Sequence, residues 1–244
     1  MLETRQWGQT GNVPILLLHE GLGSVSMWRD FPAKLADQTA RKVIAYSRQG
    51  YGASGAFEDA YALDFMHREA DATVRLMDDV GLARAHVFGH SDGAPIALLI
   101  AARYPGRVAS LVLEAPHVFV ESMCLSAIRG LAPHAETLVE RLARHHRDAA
   151  SVFRQWFAIW TDPRVPEWSI EADIATVRCP TLIVQGERGE YGTFEQVERT
   201  CALLPQALQL RLPDCGHSPH RDCEQQVLQA CKEFYGGFCD ERHV

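Results

Sequence analysis

Short apolar runs alternate with helically spaced apolar residues along most of this chain. The runs at 13–18, 42–46 and 108–113 are apolar at nearly every position, which is typical of strands buried on both faces of a parallel sheet. Between them, 62–80 shows helical spacing, and Gly81 follows as a suitable helix stop. This alternation predicts an α/β fold with a mostly parallel central sheet flanked by helices.

The pattern changes between 117 and 176. This segment is largely helical in its spacing and has no obvious strand, whereas apolar runs return at 180–186 and 208–212. We therefore expect a helical cap, 117–176, inserted over the carboxyl edge of a core domain formed by 1–116 and 177–244. Four aromatic residues of the cap could line an apolar substrate pocket: Phe119, Trp156, Trp160 and Trp168.

One stretch combines a strand, a sharp turn and a helix around a serine. The apolar run 85–88 leads into G-H-S-D-G, with Ser91 at its centre, and helical spacing begins directly afterwards. Gly89 and Gly93 leave room for a strained backbone at Ser91 and for close approach of strand and helix. The motif therefore predicts a nucleophilic serine at the carboxyl edge of the sheet. The N–H group of Asp92 would face a developing oxyanion.

Charge and composition narrow the classes of partner. The net charge is −7 and no long Lys or Arg run occurs, so we expect binding to neither nucleic acid nor an anionic membrane. The apolar runs are too short to span a bilayer, and the N-terminus lacks a basic segment followed by an apolar one, so a cytoplasmic protein is expected. Seven cysteines without a C-x-x-C pair favour free thiols.

No glycine-rich motif that would hold a phosphate is present. The expectation is therefore a protein without cofactor or metal that binds a small-molecule substrate. Its oligomeric state is left open between monomer and homodimer.

Five stretches occur in an order and at a spacing typical of one family: LLLHEGLGS, YSRQGYGAS, VFGHSDGA, PTLIVQGE and LPDCGHSPH. On these motifs the chain resembles the α/β-hydrolase superfamily over essentially its whole length. The resemblance implies that Ser91 is the nucleophile and that His217, after the last strand, accepts its proton and later delivers it to the leaving group. It also implies an oxyanion hole formed by the N–H of Asp92 with that of Gly21, or with that of Leu22 as the less favoured donor.

The acid of the catalytic triad departs from the family pattern. Similar hydrolases carry an aspartate three residues after the glycine that ends the strand at 182–186, and Gly189 occupies that position here. The available carboxylates are Glu190 or Glu187 on the same loop, and Glu114 at the end of the strand before the cap. Glu114 is favoured over Glu190. Whichever serves must reach Nδ1 of His217 to hold the imidazole in the correct tautomer.

A second departure lies beside the oxyanion hole. Glu20 replaces a glycine that is usual in the family. Its carboxylate is expected either to turn away from the hole or to pair with Arg48, and the sequence leaves both arrangements open.

The expected function is that of a cofactor-independent serine hydrolase. It would cleave an ester, thioester or lactone of a small, largely apolar substrate through an acyl-enzyme. Two alternatives remain: a C–C bond hydrolase or perhydrolase on the same residues, or a ligand-sensing protein with a weakened triad, which the departure at Gly189 favours.

Overall fold

The computed structural model describes residues 1–9, 11–58, 60 and 62–238. Within these residues one seven-stranded sheet has the order β1-β3-β2-β4-β5-β6-β7. β1 pairs antiparallel with β3, and every other neighbouring pair is parallel. The predicted α/β fold is therefore confirmed. The strands are β1 Thr4–Trp7, β2 Ile15–Leu18, β3 Val43–Tyr46, β4 Ala85–His90, β5 Val108–Glu114, β6 Thr181–Gly186 and β7 Ala207–Leu212.

Helices cover both faces of the sheet, and its central strands are buried at every position. Along β2, Ile15 and Leu17 belong to one buried cluster, whereas Leu16 and Leu18 belong to another. Alternate side chains of a strand point to opposite faces, so these two clusters are the two cores of the domain. The flanking helices of the core domain are α1 Phe31–Thr39, α2 Phe65–Asp79, α3 Gly93–Arg103, α8 Glu195–Leu203, α9 Pro219–Asp222 and α10 Glu224–Gly236.

The chain between β5 and β6 contains further helices. They are α4 Ser122–Arg129, α5 Ala135–Leu142, α6 Ala149–Trp160 and α7 Glu171–Ile174. An isolated antiparallel bridge joins Phe119 to Ser169 near the two ends of this segment. The bridge brings the entry and the exit of the segment together beside the sheet. We keep the name cap for residues 117–176.

The sheet brings the ends of several strands to one edge. Gly89 of β4 lies beside Leu18 of β2 and Leu113 of β5, and His90 lies beside Glu114. The loops that follow these strands therefore start next to one another, at the carboxyl edge where α/β sheets bind ligands.

Two general properties follow from the described residues. None of their helices combines the length and the apolar character needed to cross a membrane. Six cysteines are free thiols: Cys124, Cys179, Cys201, Cys215, Cys223 and Cys231. The seventh, Cys239, lies outside the described residues.

Candidate active site

Ser91 occupies the apex of a strained turn between β4 and α3. Its φ is +51°, a left-handed conformation that is costly for a residue other than glycine. Its N–H donates to the carbonyl of Glu114 at 2.9 Å, which fixes the turn against β5. A Cβ atom at Gly93 would lie 2.1 Å from the carbonyl oxygen of Leu18, and one at Gly89 would lie 2.2 Å from the carbonyl oxygen of Gly93. These two glycines therefore permit the close approach that presents the Ser91 hydroxyl.

His217 lies on the loop after β7 and contacts this hydroxyl. Its Nε2 is 2.9 Å from Oγ of Ser91. Burial, and then the neighbouring His90 and His117, lower the pKa of His217 well below its usual value. The imidazole is therefore neutral near pH 7 and able to accept the serine proton.

The other ring nitrogen of His217 lacks the contact that the sequence analysis expected. Its Nδ1 is buried and has no hydrogen-bond partner among the described residues. The carboxylate of Glu114 binds His220 instead: one oxygen accepts the main-chain N–H of His220 at 2.6 Å, and the other lies 2.5 Å from its Nδ1. Because both oxygens of Glu114 are taken up by His220, the structure brings Glu114 to the loop of His217 but not to its ring.

The alternative carboxylates also lie elsewhere. Glu190 is exposed and makes no hydrogen bond to His217 within the described part of the chain. Glu187 pairs with Arg211 at the surface. The loop after β6 therefore carries its acidic side chains outward, and neither Glu114 nor Glu190 adopts the geometry of a triad acid.

Glu20 does not pair through its carboxylate with Arg48, and it makes contacts that the sequence did not predict. Its carboxylate lies 3.6 Å from Nδ1 of His90 and 3.5 Å from the guanidinium of Arg221. Arg48 donates instead to the main-chain carbonyl of Glu20 at 3.0 Å. Burial would raise the pKa of Glu20, but His90 and Arg221 outweigh it and hold the pKa well below the usual value. Glu20 is therefore ionised near neutral pH, and it lines the same cavity as Ser91.

The expected oxyanion donors border the same cavity as Ser91. Gly21, Leu22 and Asp92 all line it. The N–H groups of these three residues bond to no main-chain acceptor in the described ranges. Gly21 and Leu22 follow β2, and Asp92 caps the amino end of α3, so main-chain donors from two elements are available next to the nucleophile. This is the arrangement that an oxyanion hole requires.

The cavity over Ser91 has a volume of about 170 Å³. Its far wall comes from the cap and is mostly apolar, with side chains from α4, α5 and α6 and from the connection between α4 and α5. Trp156 and Trp160 line it as expected. Phe119 and Trp168 do not: Phe119 packs under the guanidinium of Arg199, and Trp168 packs edge-on against Trp160. The lining contributed by the cap is His117, Cys124, Ile128, Leu131, Leu138, Trp156 and Trp160.

Two acidic side chains line this mostly apolar cavity, and Asp92 is the one directly after the nucleophile in the chain. Asp92 is 2% exposed, and its Oδ2 has no hydrogen-bond partner among the described residues. Burial, together with the charge of Glu20, raises the pKa of Asp92 to about 6, although Arg48 acts in the opposite direction. A carboxylate held in such a place is stabilised by a cation or a hydrogen-bond donor.

Two lining residues whose rings lie near that of His217 were not predicted from the sequence. His117 is buried, lines the cavity and has its ring 5.9 Å from that of His217. Tyr191 also lines the cavity, with its ring 4.8 Å from that of His217. The available signal was position: each lies a few residues after a central strand, at the edge where the other site residues collect.

His90, Glu114 and His220 are the described residues whose side chains could share a metal ion, since their ligand atoms lie within 4.8 Å of one another. The hydrogen bonds from His220 already satisfy both oxygens of Glu114. The cluster is therefore stable as a hydrogen-bonded group.

A histidine of the cap connects the cap to the loop after β2 that contains Gly21 and Leu22, which we call the oxyanion loop. Nδ1 of His146 accepts the main-chain N–H of Gly52 at 2.9 Å, and its Nε2 lies 3.0 Å from the carbonyl oxygen of Leu22. Since a carbonyl only accepts, Nε2 carries the proton. The residues on either side add contacts, from His145 to Ser26 and from Arg147 to Gly52. The 145–147 segment therefore fixes the cap against two loops of the core domain.

Comparison with known proteins identifies the family. The model of the alpha/beta hydrolase family matches residues 15–230. The dihydrolipoyllysine-residue acetyltransferase component of the acetoin cleaving system of Pseudomonas putida is 26% identical over 96% of this chain, and human serine hydrolase BPHL is 29% identical over 77% of it. The chain covers 66% of the length of each of these relatives.

A solved structure agrees with the fold. The alpha/beta hydrolase MGS-M2, from a Medee basin deep-sea metagenome library, superposes with a TM-score of 0.81 and covers 100% of this chain and 97% of its own, at 17% identity. With the family model spanning nearly the whole sheet and its loops, this chain belongs to the alpha/beta hydrolase family.

Proposed function

We propose that this protein is a serine hydrolase that cleaves an ester, thioester or lactone of a small substrate through an acyl-enzyme. One observation carries the proposal: the Ser91 hydroxyl, held at a strained apex, lies 2.9 Å from Nε2 of a neutral His217 and opens into a mostly apolar cavity. A serine hydroxyl needs such a base to act as a nucleophile near neutral pH.

The geometry supports a two-step reaction. Oγ of Ser91 attacks the substrate carbonyl while its proton passes to Nε2 of His217, and the carbonyl oxygen becomes an oxyanion facing the N–H groups of Gly21 and Asp92. The tetrahedral intermediate collapses as His217 protonates the leaving group, which leaves the acyl group on Ser91. Water then attacks the acyl-enzyme and gives a proton to His217. The second tetrahedral intermediate collapses with cleavage of the bond to Oγ of Ser91, His217 returns its proton to that oxygen, and the acid product is released.

The walls of the cavity favour a particular kind of acyl group. Its volume of about 170 Å³ and its apolar cap residues suit a short apolar chain. The buried Asp92 carboxylate next to Ser91, whose Oδ2 has no hydrogen-bond partner among the described residues, favours substrates that also carry an ammonium or another hydrogen-bond donor near the reacting carbonyl. The proposed substrate is thus a small acyl compound with one apolar and one positively charged end.

Labelling with a fluorophosphonate probe, together with turnover of short p-nitrophenyl esters, tests the proposal. We expect the wild type to label and to turn over, and we expect Ser91→Ala and His217→Ala to lose both activities. Matched controls are Ser126→Ala and His134→Ala, which replace a cap serine and an exposed cap histidine outside the cavity lining. Both controls should behave as wild type.

The ligand-sensing alternative has one observation in its favour, the unpaired Nδ1 of His217. A wild-type protein that folds and binds a small ester but neither labels nor turns over would support that alternative and contradict the proposed hydrolase.

A further inference from the structure

The main chain of His217 is held by His90. Nε2 of His90 lies 2.9 Å from the carbonyl oxygen of His217, and because a carbonyl only accepts, Nε2 carries the proton. His90 is the last residue of β4, directly before Ser91, and is 1% exposed. A single buried side chain therefore connects the strand of the nucleophile to the loop of the base.

The second ring nitrogen of His90 faces a carboxylate. Its Nδ1 lies 3.6 Å from Glu20, the residue that replaces a glycine of similar hydrolases. Burial would lower the pKa of His90, but Glu20 beside it and Glu114 nearby outweigh burial and raise that pKa. An imidazolium satisfies both sides, since it donates to the carbonyl through one nitrogen and faces the carboxylate with the other.

We propose that His90, oriented by Glu20, is the positioning residue for the catalytic base: it fixes His217 through the main-chain carbonyl, replacing the ring contact that a triad acid would make at Nδ1. The inference rests on the proposed function. It explains both departures from the family pattern together. The carboxylate that supports the base is absent from position 189, where glycine replaces aspartate, and is present at position 20, where Glu20 replaces glycine.

The charge of His90 has a second consequence. It lowers the pKa of His217, in addition to the larger effect of burial. A variant without this charge should therefore need a higher pH to deprotonate His217. Several titratable groups on the elements packed around His90 interact with it. They are Glu20, Asp92, Glu114, His117, His217 and His220.

Kinetics of three variants test the proposal on a p-nitrophenyl ester. His90→Leu removes both the donor and the charge, and its kcat should fall about 10- to 100-fold with little change in KM, as expected for one charge-assisted hydrogen bond. His90→Gln keeps an amide N–H for the carbonyl and should recover most of kcat. In both variants the acidic limb of the pH profile of kcat/KM should move to higher pH. In Glu20→Gln the readout is kcat, which should fall by a smaller factor, because Glu20 itself raises the pKa of His217 and its loss opposes the shift of the limb.

His86→Leu is the matched control. His86 lies on the same strand, is 1% exposed and contacts Ser110 at 2.7 Å, outside the cavity lining. Its replacement removes a buried imidazole without touching the loop of His217, so kcat and the acidic limb should stay unchanged. If His90→Leu fails to fold, the pH profile of His90→Gln still decides the question.

A double-variant experiment separates positioning from a general structural effect. If His90 replaces the acid, then a carboxylate supplied by Gly189→Asp should make His90 less necessary. His90→Leu should therefore lower kcat by a smaller factor in the Gly189→Asp protein than in the wild type. Equal factors in both backgrounds would contradict the proposal.

The outcomes also distinguish this proposal from the function on which it rests. A wild-type rate and an unshifted pH profile in His90→Leu, with labelling still lost in Ser91→Ala, would overturn the role of His90 and leave the hydrolase in place. A wild type that does not label would overturn both.

Discussion

At the scale of single residues, the site is defined by what contacts each nitrogen of His217. Nε2 meets the Ser91 hydroxyl, and Nδ1 is buried without a partner in the described residues. An unpaired buried donor costs about 1–3 kcal/mol. The base is thus held by its main chain and by packing rather than by a carboxylate at the ring.

Gly189→Asp should increase activity. A Cβ atom at Gly189 would have its nearest neighbour at 3.5 Å, an ordinary contact, so the loop can accept a side chain there. The aspartate would stand where similar hydrolases carry their acid and would supply the missing acceptor for Nδ1. We expect kcat to rise by about tenfold or more, which is a fraction of the roughly 10⁴-fold effect of the acid in a complete triad.

Gly189→Asn is the matched control for this gain. It has nearly the same shape but no charge, and should leave kcat close to that of the wild type. An increase of equal size in both variants would show that the loop, and not the carboxylate, limits the reaction.

Asp92 should determine preference between charged and neutral substrates. Its pKa is raised to about 6, chiefly by burial, so the side chain becomes negatively charged as the pH rises from 5 to 7. The ratio of kcat/KM for an ester with an ammonium group near the carbonyl to that of its neutral isostere should therefore grow over this range. In Asp92→Asn the ratio should be near one and independent of pH; a ratio that still grows would contradict this role.

At the scale of elements, the cap and the oxyanion loop act as one unit through the 145–147 segment. His146 bonds Gly52 with one nitrogen and Leu22 with the other. Burial lowers the pKa of His146, so the ring stays neutral and keeps the one tautomer that fits both partners. The cap is thereby fixed to the loop that supplies Gly21.

His146→Leu should loosen this connection. Loss of two hydrogen bonds, each with a net contribution of about 1 kcal/mol, should lower the melting temperature and reduce kcat/KM by about tenfold, because the oxyanion loop loses its support. Turnover and thermal unfolding measure the two effects. His134→Leu, at an exposed position of the same cap, is the control; equal effects in the two variants would contradict a specific role for His146.

At the scale of the whole molecule, buried histidines make stability depend on pH. Burial lowers the pKa of His86 to about 3 and that of His117 to about 4, and burial with the charge of Arg48 lowers that of His19 well below its usual value. These groups are neutral when folded and take up protons when unfolded below about pH 6.5. Their contribution to stability is present above that pH and is lost as the pH falls, by about 1.4 kcal/mol per unit for each histidine.

Two groups act in the opposite direction. The pKa of Asp92 is raised to about 6, so its folded form gains a proton as the pH falls from 6 towards 4, and the raised pKa of His90 favours the folded state at low pH. The histidines with lowered pKa outnumber them. The melting temperature should therefore fall as the pH is lowered from 7.5 to 5, and it should fall less in His86→Leu. A melting temperature that stays constant or rises as the pH is lowered would contradict the prediction.

The sequence alone predicted the α/β fold, which the sheet confirms, and the pairing of Ser91 with His217, whose side chains are in contact. Apolar runs without alternation require burial on both faces, which only a parallel sheet covered by helices provides, and the glycines around Ser91 leave a single local geometry for the turn. These are properties of neighbouring residues, so they can be inferred from order and spacing. His217 was predicted differently, from the resemblance of the motif after the last strand to the histidine motif of similar hydrolases.

The tertiary structure decided which carboxylate meets which histidine. Glu20, His90, Glu114, His217 and His220 come from four separate segments, and several pairings among them satisfy the same hydrogen-bond and charge requirements. The pairing depends on the strand register, which places His90 beside Glu114. It also depends on the position of the loop that carries His217 and His220. In the observed arrangement Glu114 pairs with His220, and Glu20 pairs with His90. Such distances are fixed by packing across the whole sheet, and no local pattern contains them.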